Sequence, residues 1–117
     1  MWFMVLLSLA AVGDAYGRDP QEAAKIDSLI RAVETLKRAK FLRNGREYDA
    51  RAAADHLRLK LRTAADRVKT ADDFIRLCGS QSSLSGEKYR IRFADGTTTD
   101  AEVFFRKRLK ALAADKP

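Results

Sequence analysis

The sequence contains only one cysteine, one histidine and two prolines among its 117 residues. A lone cysteine, Cys78, has no intramolecular disulfide partner, so the fold must be stabilised by packing of its core. Cys78 lies among Phe74, Ile75 and Leu77, which predicts that it is a small buried hydrophobe. A lone histidine, His56, excludes a metal site built from several imidazoles. No apolar run approaches the ~20 residues that a membrane-spanning helix needs. We therefore expect neither a disulfide framework nor a stable transmembrane span, and no cofactor or metal is predicted.

Positive charge is what the sequence has in excess. Lys and Arg number 23 against 16 Asp and Glu, which gives a net charge of +7. Such a charge attracts polyanions over long distances. In the cytosol the polyanion is nucleic acid, whereas in the cell envelope the candidates are anionic lipid head groups, cell-wall polymers and acidic proteins. The location of the protein therefore determines which partner is expected.

The first 17 residues have the layout of a secretory signal peptide. A largely apolar run over residues 1–12 is followed by small residues, Gly13, Ala15 and Gly17, as is typical before a cleavage site. We expect cleavage after Ala15 or Gly17 and a periplasmic or secreted domain over residues 18–117. No Lys or Arg precedes the run. Retention of the leader as a weak anchor, or a cytosolic protein with a buried N-terminal helix, therefore remain alternatives.

Export favours an anionic envelope component or an acidic protein as the partner, and makes nucleic acid an unexpected one. Residues 1–17 contain one charged residue, Asp14. The remaining chain keeps all 23 basic residues against 15 acidic ones, a net charge of +8.

Helical spacing of apolar residues predicts three to four helices. Each predicted helix begins after a residue whose side chain can cap the first turn. The predicted ranges are 20–39, 50–67, 70–78 and 100–113, with the capping residues Asp19, Asp49, Thr70 and Thr99.

Residues 88–93 alternate between basic and apolar side chains, which predicts a half-buried strand. Asn44-Gly45 is a strong signal for a tight turn with extended flanks, because both residues tolerate positive φ. One strand cannot form a sheet alone, so we expect residues 88–93 to pair with the Asn44-Gly45 region. The predicted fold is α+β and mostly α, one domain with a small antiparallel sheet or hairpin.

The candidate ligand-binding residues lie on the Asn44-Gly45 turn, the second helix and the serine-rich loop over residues 80–86. Loops on a rigid scaffold often carry function, and serine hydroxyls, amides and cations can hold an anion. These candidates are Arg43, Asn44, His56, Lys60, Ser82, Ser83 and Ser85. No catalytic or metal-ligating set is predicted.

Each candidate also has a purely structural interpretation. His56 can lie at the edge of the core with a hydrogen bond to a backbone carbonyl, and the serines can stabilise turns in a solvated loop. The basic faces over residues 88–92 and 106–110 can be solvated surface. Phosphate tracking is the less favoured interpretation there, because the neighbouring aromatic residues are better explained as core than as base-stacking platforms.

Four short motifs occur in order along the chain. They are Phe41-x-Arg43-Asn44-Gly45-x-x-Tyr48, Ala53-Ala54-Asp55-His56-Leu57-x-x-Lys60, Thr70-Ala71-x-Asp73-Phe74-Ile75 and Ser82-Ser83-x-Ser85-Gly86-x-x-Tyr89-x-Ile91. In this order the motifs resemble the YfeK-like family of small exported bacterial proteins. The resemblance spans roughly residues 25–112, and it implies a signal peptide and a periplasmic or secreted location. It implies no known activity.

These observations favour a non-enzymatic binding or accessory protein of the envelope that holds an anionic partner. The alternative is a small enzyme of unrecognised type that uses His56 and the Ser82–Ser85 loop. A third hypothesis, nucleic-acid binding in the cytosol, requires that residues 1–17 are not an export signal.

Overall fold

The computed structural model describes residues 17–114, which form four α-helices and one four-stranded antiparallel sheet. This architecture confirms the α+β, mostly α class. All of the predicted signal peptide except Gly17 lies outside the described residues. Among residues 17–114, no helix combines the length and the apolar character needed to cross a bilayer.

Helices and strands alternate in blocks along the chain. The helices are α1 (Pro20–Glu34), α2 (Ala50–Ala64), α3 (Ala71–Phe74) and α4 (Ala101–Ala114). A 3₁₀ turn, Ala65–Arg67, follows α2, and a π-helical turn, Ile75–Gly79, continues α3. The strands are β1 (Lys40–Arg43), β2 (Arg46–Tyr48), β3 (Arg90–Arg92) and β4 (Thr98–Asp100), in the order β2-β1-β3-β4 across the sheet.

The β1–β2 hairpin turns at Asn44-Gly45, as the sequence predicts. Asn44 and Gly45 have φ values of 51° and 78°, the left-handed conformation that tight hairpin turns require at both central positions. β1 then pairs with β3 in an antiparallel register that places Phe41 opposite Ile91. The predicted pairing of the basic-apolar strand with the Asn44-Gly45 region is confirmed, although β3 itself is shorter than residues 88–93.

The first helix ends five residues before its predicted end at residue 39. The Thr35 hydroxyl donates to the Arg31 carbonyl at 2.9 Å, which satisfies a carbonyl of the last turn. Arg38 then adopts a φ of 56°, outside the helical region. The chain therefore reverses direction in time for Lys40 to pair with Arg92 in the sheet. Helical periodicity in the sequence does not reveal that the chain has to turn here to join the sheet.

The predicted capping box at Thr99 is wrong. Thr99 is a strand residue opposite Ile91, and α4 begins two residues later at Ala101. The Ala101 amide donates to the Tyr89 carbonyl at 2.8 Å. Sheet pairing therefore uses the backbone groups that a helix cap would otherwise satisfy.

The core lies between α1, α2, the α3 turn, the inner face of the sheet and α4. Phe74 and Phe105 meet edge to face at its centre, with ring centroids 5.8 Å apart, a favoured aromatic geometry. Cys78 is also buried there, and burial raises the pKa of its thiol. The prediction that Cys78 is a small buried hydrophobe is confirmed.

Candidate functional site

The side chains of Arg43 and His56 meet beside the sheet. Arg43 is the last residue of β1, and His56 lies on the face of α2 that packs towards β1. Arg43 Nη1 lies 3.2 Å from His56 Nε2. A guanidinium has only donors, so His56 Nε2 is the acceptor and the imidazole is neutral, with its proton on Nδ1.

The surroundings of His56 favour this neutral form. Burial lowers the pKa of His56 below its ordinary value, and the positive charges of Arg43 and Lys60 lower it further. Protonation would remove the acceptor lone pair and add a third positive charge to the cluster. The predicted hydrogen bond between His56 and a backbone carbonyl is wrong, because the ring contacts the Arg43 guanidinium instead.

Two tyrosines complete the cluster. Arg43 Nη2 donates to the Tyr48 hydroxyl at 3.0 Å, and this contact lowers the pKa of Tyr48. Lys60 Nζ donates to the Tyr89 hydroxyl at 3.0 Å. The Tyr89 ring also meets the His56 ring edge to face, with centroids 6.2 Å apart. We refer to Arg43, Tyr48, His56, Lys60 and Tyr89 together as the cationic site.

Neither cation of this site has an acidic partner in the part of the chain that the structure describes. The Arg43 side chain hydrogen-bonds only to His56 and Tyr48. The Lys60 side chain hydrogen-bonds only to Tyr89 and to the Gln81 carbonyl, the latter at 3.1 Å. Each side chain is half-buried, so its charge is less well hydrated than that of a fully exposed residue. The cationic site is therefore suited electrostatically to an anion.

Most other cations near the sheet are paired with carboxylates. Lys88 and Arg90 lie 3.7 and 3.8 Å from Asp100, and Arg92 donates to Glu47 at 2.9 Å. The three cations of the basic face predicted for residues 88–92 therefore share two acids, which neutralise most of its charge. This arrangement leaves little free charge on that face for phosphate tracking.

The positive charge of α4 is neutralised in part. Arg106 pairs with Asp72 and with Glu102. Lys107, Arg108 and Lys110 have no ion pair with an acid among residues 17–114.

An apolar cavity of about 140 Å³ opens beside Arg43, Tyr48 and His56. Its walls come from both helical and sheet elements and include Val33, Phe41, Ala53, Leu57, Ile91 and Phe105. The π-helical turn contributes Gly79, and single π turns within helices are frequent at functional sites. The cationic site therefore borders an apolar space large enough for a small chemical group.

The serine loop forms a separate hydrogen-bonded cluster with the hairpin turn. Asn44 Nδ2 donates to Ser82 Oγ at 3.1 Å, and Ser85 Oγ donates to Asn44 Oδ1 at 2.6 Å. Ser82 Oγ also accepts from the Leu84 and Ser85 amides. Ser82 is buried, so its description as part of a solvated loop is wrong. Its hydroxyl holds the loop in shape, as serines commonly do in turns.

The structure thus divides the predicted site residues into two groups. Arg43, His56 and Lys60 belong to the cationic site, whereas Asn44, Ser82 and Ser85 bond to one another. Within residues 17–114, Ser83 is exposed and makes no hydrogen bond. No hydrogen bond between described residues joins His56 to a serine, so the enzyme hypothesis gains no support from these contacts.

The hydroxyls of Tyr48 and Tyr89 belong to the site, although the sequence pattern does not indicate them. Tyr89 was predicted from strand alternation to be core, and it is 8 % exposed, yet its hydroxyl reaches Lys60 at the edge of the core. Tyrosine has an apolar body and a polar tip, so burial of the ring and a site role for the hydroxyl are compatible. Lys60 follows His56 by one helical turn, and this spacing indicates only that these two side chains share a face of α2.

The described residues contain no group of three or more His, Cys, Asp and Glu side chains that is able to hold a metal ion. The contacts of the cationic site supply hydrogen-bond donors and positive charge, with one neutral imidazole able to take up a proton.

Comparison with known proteins agrees with the motif resemblance. Residues 20–113 match the model of a family described as a family of unknown function, DUF5329. The uncharacterized protein YfeK of Salmonella typhimurium strain LT2 is 35 % identical over 85 residues, which are 73 % of this chain and 68 % of the relative. No solved structure matches the chain. The chain therefore belongs to the DUF5329 family and carries a YfeK-like domain of unknown function.

Proposed function

We propose that this protein is an exported, non-enzymatic binding protein that holds an anionic component of the cell envelope at the cationic site. The observation that carries this proposal is the pair of half-buried cations, Arg43 and Lys60, which have tyrosine, histidine and carbonyl partners but no acid among residues 17–114. An anionic group placed there gains charge-assisted hydrogen bonds that the protein itself does not satisfy.

The partners of Arg43 and Lys60 support binding at this site rather than attraction by the basic surface as a whole. The basic residues of β3 are engaged by Asp100 and Glu47, whereas Arg43 and Lys60 are held in place by neutral groups. Neutral partners orient a cation without cancelling its charge. Arg43 and Lys60 therefore each keep an available positive charge beside the sheet.

Export supports an envelope partner in particular. The apolar run and small residues of the first 17 residues have the pattern of a cleaved leader. The test is cell fractionation of the native host followed by N-terminal sequencing of the isolated protein. We expect a periplasmic or secreted chain that begins at Tyr16 or Arg18. A chain that retains Met1 in the soluble cell interior would contradict the proposed location.

Anion binding is tested by sedimentation of the mature protein with vesicles that contain an anionic phospholipid. We expect binding at low salt that weakens strongly near 1 M salt, where charges are screened beyond about 3 Å. The double variant Arg43→Ala/Lys60→Ala should reduce this binding substantially. The matched control, Arg62→Ala/Lys107→Ala, removes the same charge from exposed positions on α2 and α4.

An equal loss in both double variants would show that net charge, not the cationic site, attracts the vesicles. Absence of binding by the unaltered protein at low salt would argue against this class of anionic envelope partner. Circular dichroism of each variant verifies that the fold is retained.

A further inference from the structure

We infer that the ligand of the cationic site is a small carboxylic acid that carries a single apolar group about the size of a benzene ring. This inference rests on the proposed function and names the chemical class of its ligand. The acid group lies against Arg43, and the apolar group enters the adjoining cavity.

Arg43 lies between polar and apolar surroundings. Arg43 lines the cavity together with Tyr48 and His56. His56 Nε2 and the Tyr48 hydroxyl occupy two of its donor positions, and its remaining N–H groups have no acceptor among residues 17–114. A planar fork of N–H donors matches the two oxygens of a carboxylate.

The cavity has a volume and a lining that suit a small apolar group. Its volume is about 140 Å³, and an apolar cavity of roughly 150 Å³ in another protein stays dry and binds benzene. Phe41, Leu57, Ile91 and Phe105 supply apolar walls from four different elements. A phenyl ring or a short alkyl chain therefore fits, whereas a long acyl chain exceeds the available space.

The walls of the cavity belong to the packed core. Phe105 is 1 % exposed and Ile91 is fully buried, and both belong to the continuous core. A preformed apolar pocket costs little conformational entropy on binding. The hydrogen bonds of Arg43 to His56 and Tyr48 also hold the guanidinium in position before the ligand arrives.

The imidazole adds a dependence on pH. Burial is the first cause of the lowered pKa of His56, and the charges of Arg43 and Lys60 lower it further. An anion bound to Arg43 offsets part of this charge and so favours proton uptake by His56, whereas protonation removes the acceptor that orients Arg43. The charged groups around His56 are Arg43 and Lys60, together with the ionisable hydroxyls of Tyr48 and Tyr89. Asp55, its neighbour on α2, is exposed and pairs with Arg51 and Arg58.

The experiment is an NMR titration of the mature protein with 3-phenylpropanoate, acetate and 3-phenylpropanol, in which backbone amide shifts report each dissociation constant. We expect 3-phenylpropanoate to bind at least about tenfold more tightly than acetate, because its ring leaves water. We also expect it to bind at least about tenfold more tightly than the alcohol, which lacks the charge-assisted hydrogen bonds. Hexanoate should behave like 3-phenylpropanoate.

Variants assign each half of the ligand to its half of the site. Arg43→Lys keeps the charge but loses the planar fork, so it should weaken binding of both carboxylates. Ala53→Leu places a larger side chain in the cavity and should reduce the affinity for 3-phenylpropanoate to that for acetate. Ala111→Leu, an equal change at an exposed position of α4, should have no effect.

The outcomes separate this inference from the proposed function. If acetate binds as tightly as 3-phenylpropanoate and both need Arg43, the site holds anions but the cavity takes no part, and the inference fails alone. If the alcohol binds as tightly as the acid, the cavity is used without the cation, and the proposed function fails at this site. If 3-phenylpropanoate does not bind while anionic vesicles still require Arg43 and Lys60, the proposed function stands and the inference is overturned.

Discussion

Arg43 and His56 are separated by 13 positions in sequence, yet the guanidinium of one donates to the imidazole of the other at 3.2 Å. The contact exists because β1 lies alongside α2 after the tight hairpin turn at Asn44-Gly45. It places a permanent positive charge against a titratable ring and so couples the stability of the fold to pH.

This coupling predicts a loss of stability on acidification that depends on His56. Burial, Arg43 and Lys60 hold the pKa of folded His56 below its unfolded value, so the unfolded chain takes up the proton first as the pH falls. Stability is therefore fully present above about pH 6.5 and declines as the pH falls towards the folded pKa. Thermal unfolding from about pH 8 to pH 5 should show this decline, and His56→Gln should lack it.

Arg43→Gln is the companion variant for this prediction. It removes one of the two cations that depress the pKa of His56, so the decline should be smaller and begin at the same pH. An unchanged pH profile in His56→Gln would show that other groups account for the acid sensitivity.

The ion pair between Glu34 and Arg58 joins α1 to α2. Arg58 Nη2 and Nη1 donate to the two Glu34 carboxylate oxygens at 2.8 and 3.2 Å, and this hydrogen bonding lowers the pKa of Glu34. A depressed carboxylate pKa stabilises the fold above the unfolded value, and the contribution is lost as the pH falls through the folded pKa. We expect Glu34→Gln to lower the melting temperature at pH 7.

The same substitution should have little effect at a pH below both pKa values of Glu34. Asp27→Asn is the control, since Asp27 forms an exposed pair with Arg31 within α1 and such pairs contribute little. Equal shifts in the two variants at pH 7 would contradict a special role for the interhelical pair.

Gly79 permits the close packing of the π-helical turn against α4. A Cβ atom at this position would lie 2.8 Å from Cε2 of Phe105, and the Phe105 ring is buried in the core. Gly79→Ala should therefore destabilise the protein by about 1–3 kcal/mol, as overpacking of a core does. Urea unfolding measures this change.

A double-mutant cycle identifies the cause of that loss. In a Phe105→Leu background the clashing ring atoms are absent, so the additional cost of Gly79→Ala should be smaller than in the unaltered protein. Strictly additive effects would place the strain somewhere other than the Gly79–Phe105 contact.

Arg18 is buried at the start of the described chain and stabilises the end of α2. Its Nε and Nη2 atoms donate to the carbonyls of Val68 and Ala65 at 2.6 and 3.0 Å. Arg18→Met keeps an apolar stem but removes these donors, and we expect a destabilisation of about 1.5–3 kcal/mol. Urea unfolding measures it, with the exposed Lys37→Met as control. A loss no larger than in the control would contradict the proposed role of Arg18.

The helices and the hairpin turn were predicted well because their signals are local. The Asp49 side chain accepts from the Ala52 amide at 2.8 Å, and Thr70 and Asp73 form a reciprocal capping box. Each of these interactions involves residues a few positions apart, so the residue types alone specify them. The local signal is misleading at Thr99, because its backbone pairs with Ile91 of β3 in the sheet.

The candidate site was predicted only in part. Arg43, His56 and Lys60 were selected by residue type and by the family motifs, but their grouping with Tyr48 and Tyr89 depends on how β1, α2 and the segment before β3 pack together. The sequence also does not show which carboxylates pair with Lys88, Arg90 and Arg92, because Asp100 and Glu47 reach these cations from neighbouring strands of the folded sheet.

By itself, the sequence determined the starts of the first three helices, the Asn44-Gly45 hairpin, the burial of Cys78 and the absence of an internal disulfide, since each follows from local chemistry or from composition. Only the tertiary structure decided which cations keep an available charge and which are neutralised, and where an apolar cavity adjoins them. The physical reason is that electrostatic pairing and cavity shape depend on distances between residues remote in sequence, and the packing of the whole chain sets those distances.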